Sequence, residues 1–281
     1  MHDPLTLLLD AQLITPDDAQ TIATYLDVHG GSLLNAIASQ PKLDVAALWS
    51  RLAVSQDRPF LPSVKDASPI DGSLITREDA TRHLILGRVM RFQTVHVITP
   101  NPFLSTTDLL PLRDHLRDLT PGRRALIRIE VTTPSVWKTL YDYTYPITPY
   151  TPRMSLAEAV ALASLTPLQE IEHMGLLELR DEKRITPEQY AEALARQEGV
   201  PYINLDLNPP DEDALNYVPT TVIRATRQYP WGFTRDGQII TVGDTIPTPE
   251  TLEAFQRIVR LKPIPALISQ PAHRTLMETL S

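Results

Sequence analysis

Residues that could carry chemistry are few in this chain and scattered along it. There are seven histidines and no cysteine, which removes thiolate nucleophiles, thiol metal ligands and disulfides. The histidines stand alone. His96 sits in an alternating run that reads as a strand, and His115 and His173 fall on helical stretches, where a lone imidazole reads as structural or solvated. The densest carboxylate group, Asp211-Glu212-Asp213, follows two prolines and opens a helix, so capping and the helix dipole explain it better than a metal does. No Gly-x-x-x-x-Gly-Lys-Ser/Thr loop occurs and the ten glycines are dispersed, so no phosphate cradle of that kind is encoded. His-Glu-x-x-His and Gly-x-Ser-x-Gly are missing too. The sequence reads as that of a non-enzyme, with no catalytic residues, no metal ligands and no cofactor.

The elements that would position any site are clearer. Thr15-Pro16-Asp17-Asp18 is a helix start: a threonine N-cap, proline at the first helical position and carboxylates at the positive end of the dipole. Thr186-Pro187-Glu188-Gln189 repeats it as a capping box, and Thr166-Pro167-Leu168-Gln169 gives a third instance. Asp44 is placed to cap a helix with Val45, Leu48, Trp49 and Leu52 on one side. Short helices therefore fill residues 4–57 and 154–198.

Beyond each helical block the periodicity changes. Val200 to Leu205 reads as a short strand, Asp211 to Tyr217 as a brief helix, and Val218-Pro219 starts a segment running to Arg227. Tyr229 to Phe233 and Gln238 to Val242 read as a hairpin turning at Arg235-Asp236-Gly237. Thr248-Pro249-Glu250 begins a helix with Leu252, Phe255, Ile258 and Val259 on one face; Pro265 to Ser269 is a last strand before a terminal helix. The first half repeats the order, with strands near 84–90 and 93–98, a helix near 107–118, a strand at 125–131 and a helix at 134–142.

That order is a duplication. Ala80-Thr81-Arg82 recurs 145 residues on as Ala225-Thr226-Arg227, and the same offset aligns Gly87 with Gly232, Gln93 with Gln238, and Val95 and Val97 with Ile240 and Val242. At an offset of 142, Leu52-Ala53 meets Leu194-Ala195 and Pro59-Phe60 meets Pro201-Tyr202. So long a period indicates a duplicated domain rather than a solenoid. The expected fold class is α+β: two duplicated modules, each a small helical subdomain followed by a small α/β sandwich subdomain. Residues 1–142 form the first, 143–153 a linker and 154–281 the second. The stretch from Tyr141 to Pro152 is rich in tyrosine, threonine and proline. It reads as a semi-rigid spacer or, through its tyrosines, as a docking strip.

Composition sets the outer limits. Apolar content of 42% and a net charge of −8, with a pI near 5.4, describe a globular pair with no basic face for nucleic acid. No signal peptide opens the sequence and no apolar run approaches the roughly 20 residues of a membrane span. A cytoplasmic location without membrane insertion is expected.

Ile185-Thr186-Pro187-Glu188-Gln189-Tyr190-Ala191-Glu192-Ala193-Leu194-Ala195-Arg196-Gln197-Glu198-Gly199-Val200-Pro201-Tyr202-Ile203-Asn204-Leu205 resembles the MshE N-terminal domain family. These are regulatory domains of type II secretion and type IV pilus assembly ATPases, found also in some membrane glycosyltransferases. Val218-Pro219, Ala225, Tyr229-Pro230-Trp231, Gly237 to Val242 and Asp244 resemble the family's α/β part. The resemblance covers 154–281 and reaches 4–142 through the repeat.

It implies that the helical part can bind cyclic di-GMP through two tandem copies of one motif. The motif runs Arg-Leu-Gly, apolar pairs, a glycine before a Leu-Ile turn, then Leu-x-x-x-Leu-x-x-Gln. Tyr190, Leu194 and Gln197 occupy its last three key places, with Gln197 the polar position carried over. Ile14 and Leu43 stand 29 residues apart, as the copy spacing requires. The departures are large: Asp3, Pro4 and Leu5 replace Arg-Leu-Gly, Gln12 and Lys183 replace the turn glycines, and Ser55 stands where the first half needs glutamine. Arg153 supplies the second half's missing arginine only with an insertion. Without glycine the backbone cannot come close to a ligand, and without arginine there is no planar cation for phosphate. The resemblance therefore implies first a regulatory or adaptor protein docking onto a secretion, pilus or envelope-polysaccharide machine. Its alternatives are a cyclic di-GMP receptor acting through the second module, and a regulatory fragment of a larger ATPase or glycosyltransferase.

Overall fold

The structure is a computed structural model, and it describes residues 4–40, 42–91, 94–110, 112, 126–146 and 154–280. It is mixed helix and sheet, with one sheet of four strands and one of three. Compactness divides the chain into Met1–Thr151 with Ser164–Ile185, and Pro152–Ala163 with Thr186–Ser281. The segment 164–185, which the repeat assigns to the second half, thus packs within the first unit.

In the first unit, α1 (Pro4–Asp10), α2 (Pro16–His29), α3 (Leu33–Ala38) and α4 (Val45–Ser55) form the helical block. Its starts are local. The Thr15 hydroxyl accepts from the Asp18 N–H at 3.1 Å while the Asp18 carboxylate accepts from the Thr15 N–H at 3.0 Å, a reciprocal capping box. Asp44 accepts from the Ala47 N–H at 2.9 Å. The sealed faces carry Leu8, Ile22, Ile37, Leu48, Trp49 and Leu52, packed with Val131 of the sheet. Each such side chain contributes on the order of 2 kcal/mol by leaving water.

The strands β1 (Phe60–Leu61), β2 (Leu86–Arg91), β3 (Thr94–Thr99) and β4 (Leu126–Thr132) lie in the order β1-β4-β3-β2. β2 and β3 are antiparallel, while β3–β4 and β1–β4 are parallel. Between β1 and β2 come α5 (Val64–Ala67) and α6 (Arg77–His83), and α7 (Pro134–Thr144) follows β4. Of the helix expected near 107–118, residues 107–109 form turns, Leu110 and Leu112 are helical, and the others lie outside the described residues. α7 runs further than expected and absorbs the start of the tyrosine-rich stretch. Tyr141 is sealed in the core and the Tyr145 hydroxyl donates to the Ile75 carbonyl at 2.6 Å, so these two tyrosines are packing groups, whereas Tyr143 is 85% exposed.

Next come α8 (Leu156–Ser164), α9 (Leu168–Met174) and α10 (Leu176–Asp181). The N-cap of α9 is Pro167, with no side-chain cap bond, and Thr166 is buried. The expected threonine cap is not formed, because the helix starts one residue later than the motif suggests.

The second unit is built on α11 (Pro187–Glu198), α12 (Glu212–Tyr217), α13 (Thr220–Thr226), β5 (Tyr229–Phe233), β6 (Ile239–Gly243), α14 (Pro249–Val259), β7 (Pro263–Leu267) and α15 (Gln270–Glu278). β5 and β6 form the expected antiparallel hairpin and β6 pairs parallel with β7, the same senses in the same order as β2, β3 and β4. The strand expected at Val200–Leu205 shrinks to a parallel bridge between Tyr202 and Leu267. Pro201 has no N–H to give, and beyond Ile203 the Asn204 side chain accepts from the Asp206 N–H at 3.0 Å and turns the chain away. β7 ends two residues before the expected strand does, since Ser269 caps α15 by accepting from Ala272. Phe255 and Val259 are buried on α14, but Ile258 is 58% exposed: the apolar face is narrower than the sequence suggests. The core gathers Val222, Ile223, Tyr229, Ile239, Val242, Phe255 and Ile268.

Candidate functional site

Tyr190, Leu194 and Gln197 all lie on α11. Spacings of four and three residues put them on one helix face, and all three are half-buried. The helix is firmly set. Thr186 accepts from the Gln189 N–H at 3.2 Å, the Gln189 carbonyl oxygen accepts from the Thr186 N–H at 2.9 Å, and Gly199 closes the other end at φ 70°. Its sealed positions are Ala191, Ala193 and Ala195, small enough for α11 to lie close to β7 and α15, against which it packs. Arg196, beside Gln197, gives its Nε–H to Glu192 at 3.1 Å. The Tyr202 hydroxyl is pushed up by burial and by the carboxylates of Glu188 and Glu192, so it stays a protonated donor. Arg153 lies outside the described residues.

The glycine replacements are informative. Gln12 holds φ 53° and Lys183 φ 56°, a left-handed backbone that costs an L-residue roughly 1–2 kcal/mol. Each turn is tied the same way, Leu13 N–H to Leu8 carbonyl at 2.9 Å and Arg184 N–H to Leu179 carbonyl at 2.7 Å. Each is followed by a buried isoleucine, Ile14 or Ile185, and a threonine N-cap. At both positions the backbone takes a shape that glycine adopts freely.

Both turns are also occupied by the protein itself. The Lys183 carbonyl accepts from the Gly31 N–H at 2.8 Å. Gly30 lies so close that an added Cβ would stand 1.6 Å from that oxygen. The Gln12 carbonyl accepts from Arg51 at 2.6 Å. Arg51 escaped the sequence reading because it belongs to no motif; only its place one turn beyond Leu48 on the Asp44-capped helix marks it. It lines a cleft of about 540 Å³ together with Leu9, Leu13, Pro16, Leu43 and Leu48. The two carboxylates at that cleft, Asp18 and Asp44, are engaged as helix caps.

The histidines are better connected than they look in sequence. His96 Nδ1 lies 2.9 Å from Glu130, which also takes the Arg88 guanidinium at 2.8 Å. The partners sit on β2, β3 and β4, where a single-sequence reading cannot pair them. In the second unit buried His273 has Nδ1 at 3.2 Å from Asp244 and Nε2 at 3.1 Å from the Arg227 carbonyl. His173 is exposed on α9, and His115 lies outside the described residues. The Asp211 carboxylate accepts from the Asp213 N–H at 3.0 Å, as helix capping requires. Among the described residues no group of three His, Asp or Glu side chains is placed to hold a metal ion, and no helix is long and apolar enough to cross a membrane.

No protein-family model matches the chain, and no curated protein matches it. Among solved structures, it is similar to one described as "Structure of MshE with cdg", with 16% identity and a TM-score of 0.37, over 52% of this chain and 100% of that one.

Proposed function

We propose that the protein is a non-enzymatic regulatory or adaptor protein built from two copies of an MshE N-terminal-like module, docking onto a component of a secretion, pilus or envelope-polysaccharide machine. The duplication draws support from the two sheets, which share one succession of pairings, antiparallel then parallel, with a further parallel segment at Phe60 and at Tyr202.

The observation that carries the adaptor reading is the fate of the two left-handed turns. A glycine turn that reads a ligand needs bare backbone. Here the Gln12 carbonyl is taken by Arg51 and the Lys183 carbonyl by Gly31. The motif's shape is kept and its exposed polar groups are spent on the fold. What such a block offers a partner is a rigid surface.

Cyclic di-GMP remains the second reading, favoured by one feature: the half-buried face of Tyr190, Leu194 and Gln197 on a well-capped helix. Gln197 would present an amide with both donor and acceptor. Two experiments separate the readings. Cross-linking of the tagged chain in its own host, read by mass spectrometry, should yield a machine component if the adaptor reading holds, and none if it fails. Calorimetry of the full chain with cyclic di-GMP should show no heat at about millimolar ligand, the weak end of specific affinity. Micromolar binding lost in Gln197→Ala, with the fold intact, would replace the adaptor reading by the receptor.

A further inference from the structure

In the second unit, the segment from Asn204 to Tyr217 runs along the free edge of the three-stranded sheet. The Asp211 N–H donates to the Trp231 carbonyl of β5 at 2.8 Å, and the Trp231 indole N–H donates to the Asn208 carbonyl at 2.9 Å. Three large apolar side chains remain open to water there: Leu207 at 76%, Tyr217 at 51% and Phe233 at 39% exposure. Tyr217 and Phe233 meet edge-on, with ring centres 5.8 Å apart and planes at 88°. That contact fixes both rings, so covering them costs little rotamer entropy. Exposed rigid aromatics of this kind are what interfaces use as anchors.

Charge says what covers them. Asp206, Asp211, Glu212 and Asp213 are all exposed on the same segment. Arg224, seven residues beyond Tyr217, donates to the Leu280 carbonyl, and Arg235 at the hairpin turn beside Phe233 is followed at once by Asp236. The surface is therefore apolar in its anchors and acidic beside them. A second copy would bring carboxylates against carboxylates, and nucleic acid or an anionic membrane would meet the same repulsion.

We propose that this surface docks a basic, apolar-anchored segment of a partner protein, its apolar side chains on Tyr217, Phe233 and Leu207 and its lysines or arginines against Asp206 and Asp211 to Asp213. The proposal rests on the adaptor reading above and adds the site and the partner's chemistry. Rim charges of this kind steer encounter, and the aromatic pair holds the complex.

The test uses the full chain and a fluorescein-labelled helical peptide of leucine and lysine, with a leucine–glutamate peptide as control, followed by anisotropy. Binding of the lysine peptide alone is expected, weakening between about 50 and 300 mM salt as screening shortens. Phe233→Ser with Tyr217→Ser should weaken it about tenfold or more, as loss of anchor residues does. Leu207→Ser serves as a second variant, since so exposed a side chain can be replaced without unfolding the unit. The triple change Asp211→Asn, Glu212→Gln and Asp213→Asn, which leaves only Asp206, should sharply reduce the salt dependence. Equal binding of both peptides, or binding indifferent to the aromatic, Leu207 and acidic variants, overturns the proposal. If those fail while host cross-links still appear elsewhere on the chain, the adaptor reading stands and only this surface falls.

Discussion

Gly30→Ala is the substitution whose cost reads most directly from the structure. Gly30 closes α2 at φ 74° and ψ −154°, a region essentially reserved for glycine, and forcing an alanine there costs about 1–3 kcal/mol. The added methyl would stand 1.6 Å from the Lys183 carbonyl oxygen and 2.5 Å from its carbon, where contact needs roughly 3.5 Å. Those are backbone atoms, so no rotamer change relieves the clash. The end of α2 must draw away from the 183 turn, which breaks the Gly31–Lys183 hydrogen bond and adds about 1 kcal/mol. A loss of about 2–4 kcal/mol follows from these two terms. The control is Gly199→Ala: Gly199 has φ 70° with nothing within 4 Å of the new methyl, so only the left-handed backbone is penalised, by about 1–2 kcal/mol. Urea unfolding measures both, with Trp49 and Trp137 reporting the first unit and Trp231 the second. If Gly30→Ala costs no more than Gly199→Ala, the packing of the 183 turn on Gly30 is wrong.

Other expectations are more local. Lys183→Gly and Gln12→Gly relieve left-handed strain at φ 56° and 53° and should each raise stability by about 0.5–1 kcal/mol in the same assay; destabilisation would deny the turn its shape. Glu130→Ala strips the carboxylate, 5% exposed, from Arg88 and His96 and should cost about 3–5 kcal/mol, as breaking a buried pair does, read by thermal unfolding. Burial lowers the His83 pKa below its ordinary 6.5. The unfolded chain then binds more protons, so stability is full above the ordinary pKa and is lost as pH falls through it towards the folded value. His83→Gln should flatten that part of the stability–pH curve, and an unchanged curve would count against it.

The helix starts were legible because capping is a short-range matter: Thr15, Asp44, Thr186, Asp211 and Thr248 each bond to a backbone N–H two or three residues ahead. The hairpin of β5 and β6 was legible for the same reason. What the sequence concealed lies at long range. Nothing local announces that Gly30 sits under Lys183, that Arg51 reaches the Gln12 carbonyl, or that His96 on β3 shares Glu130 with Arg88. Tyr202 looked like the middle of a strand because its neighbours are apolar, yet its one bridge is fixed by Leu267 on a strand 65 residues away. For the candidate site, the shared face of Tyr190, Leu194 and Gln197 follows from helical spacing; their half-burial depends on what α11 packs against.

The two turns show how a left-handed backbone is held at Gln12 and Lys183. A left-handed position occupied by Gln or Lys is a standing cost of roughly 1–2 kcal/mol, so something must hold the backbone there. At Gln12 that is the Arg51 hydrogen bond and the Leu13–Leu8 tie; at Lys183 it is the Gly31 hydrogen bond, the Arg184–Leu179 tie and the close approach of Gly30. Each of these ties uses a polar group that an open glycine turn would leave facing outward. A ligand entering at either turn would have to displace an existing hydrogen bond, losing about as much as it gains. A partner docking on side-chain surface elsewhere meets no such competition, and that difference supports the adaptor proposed above.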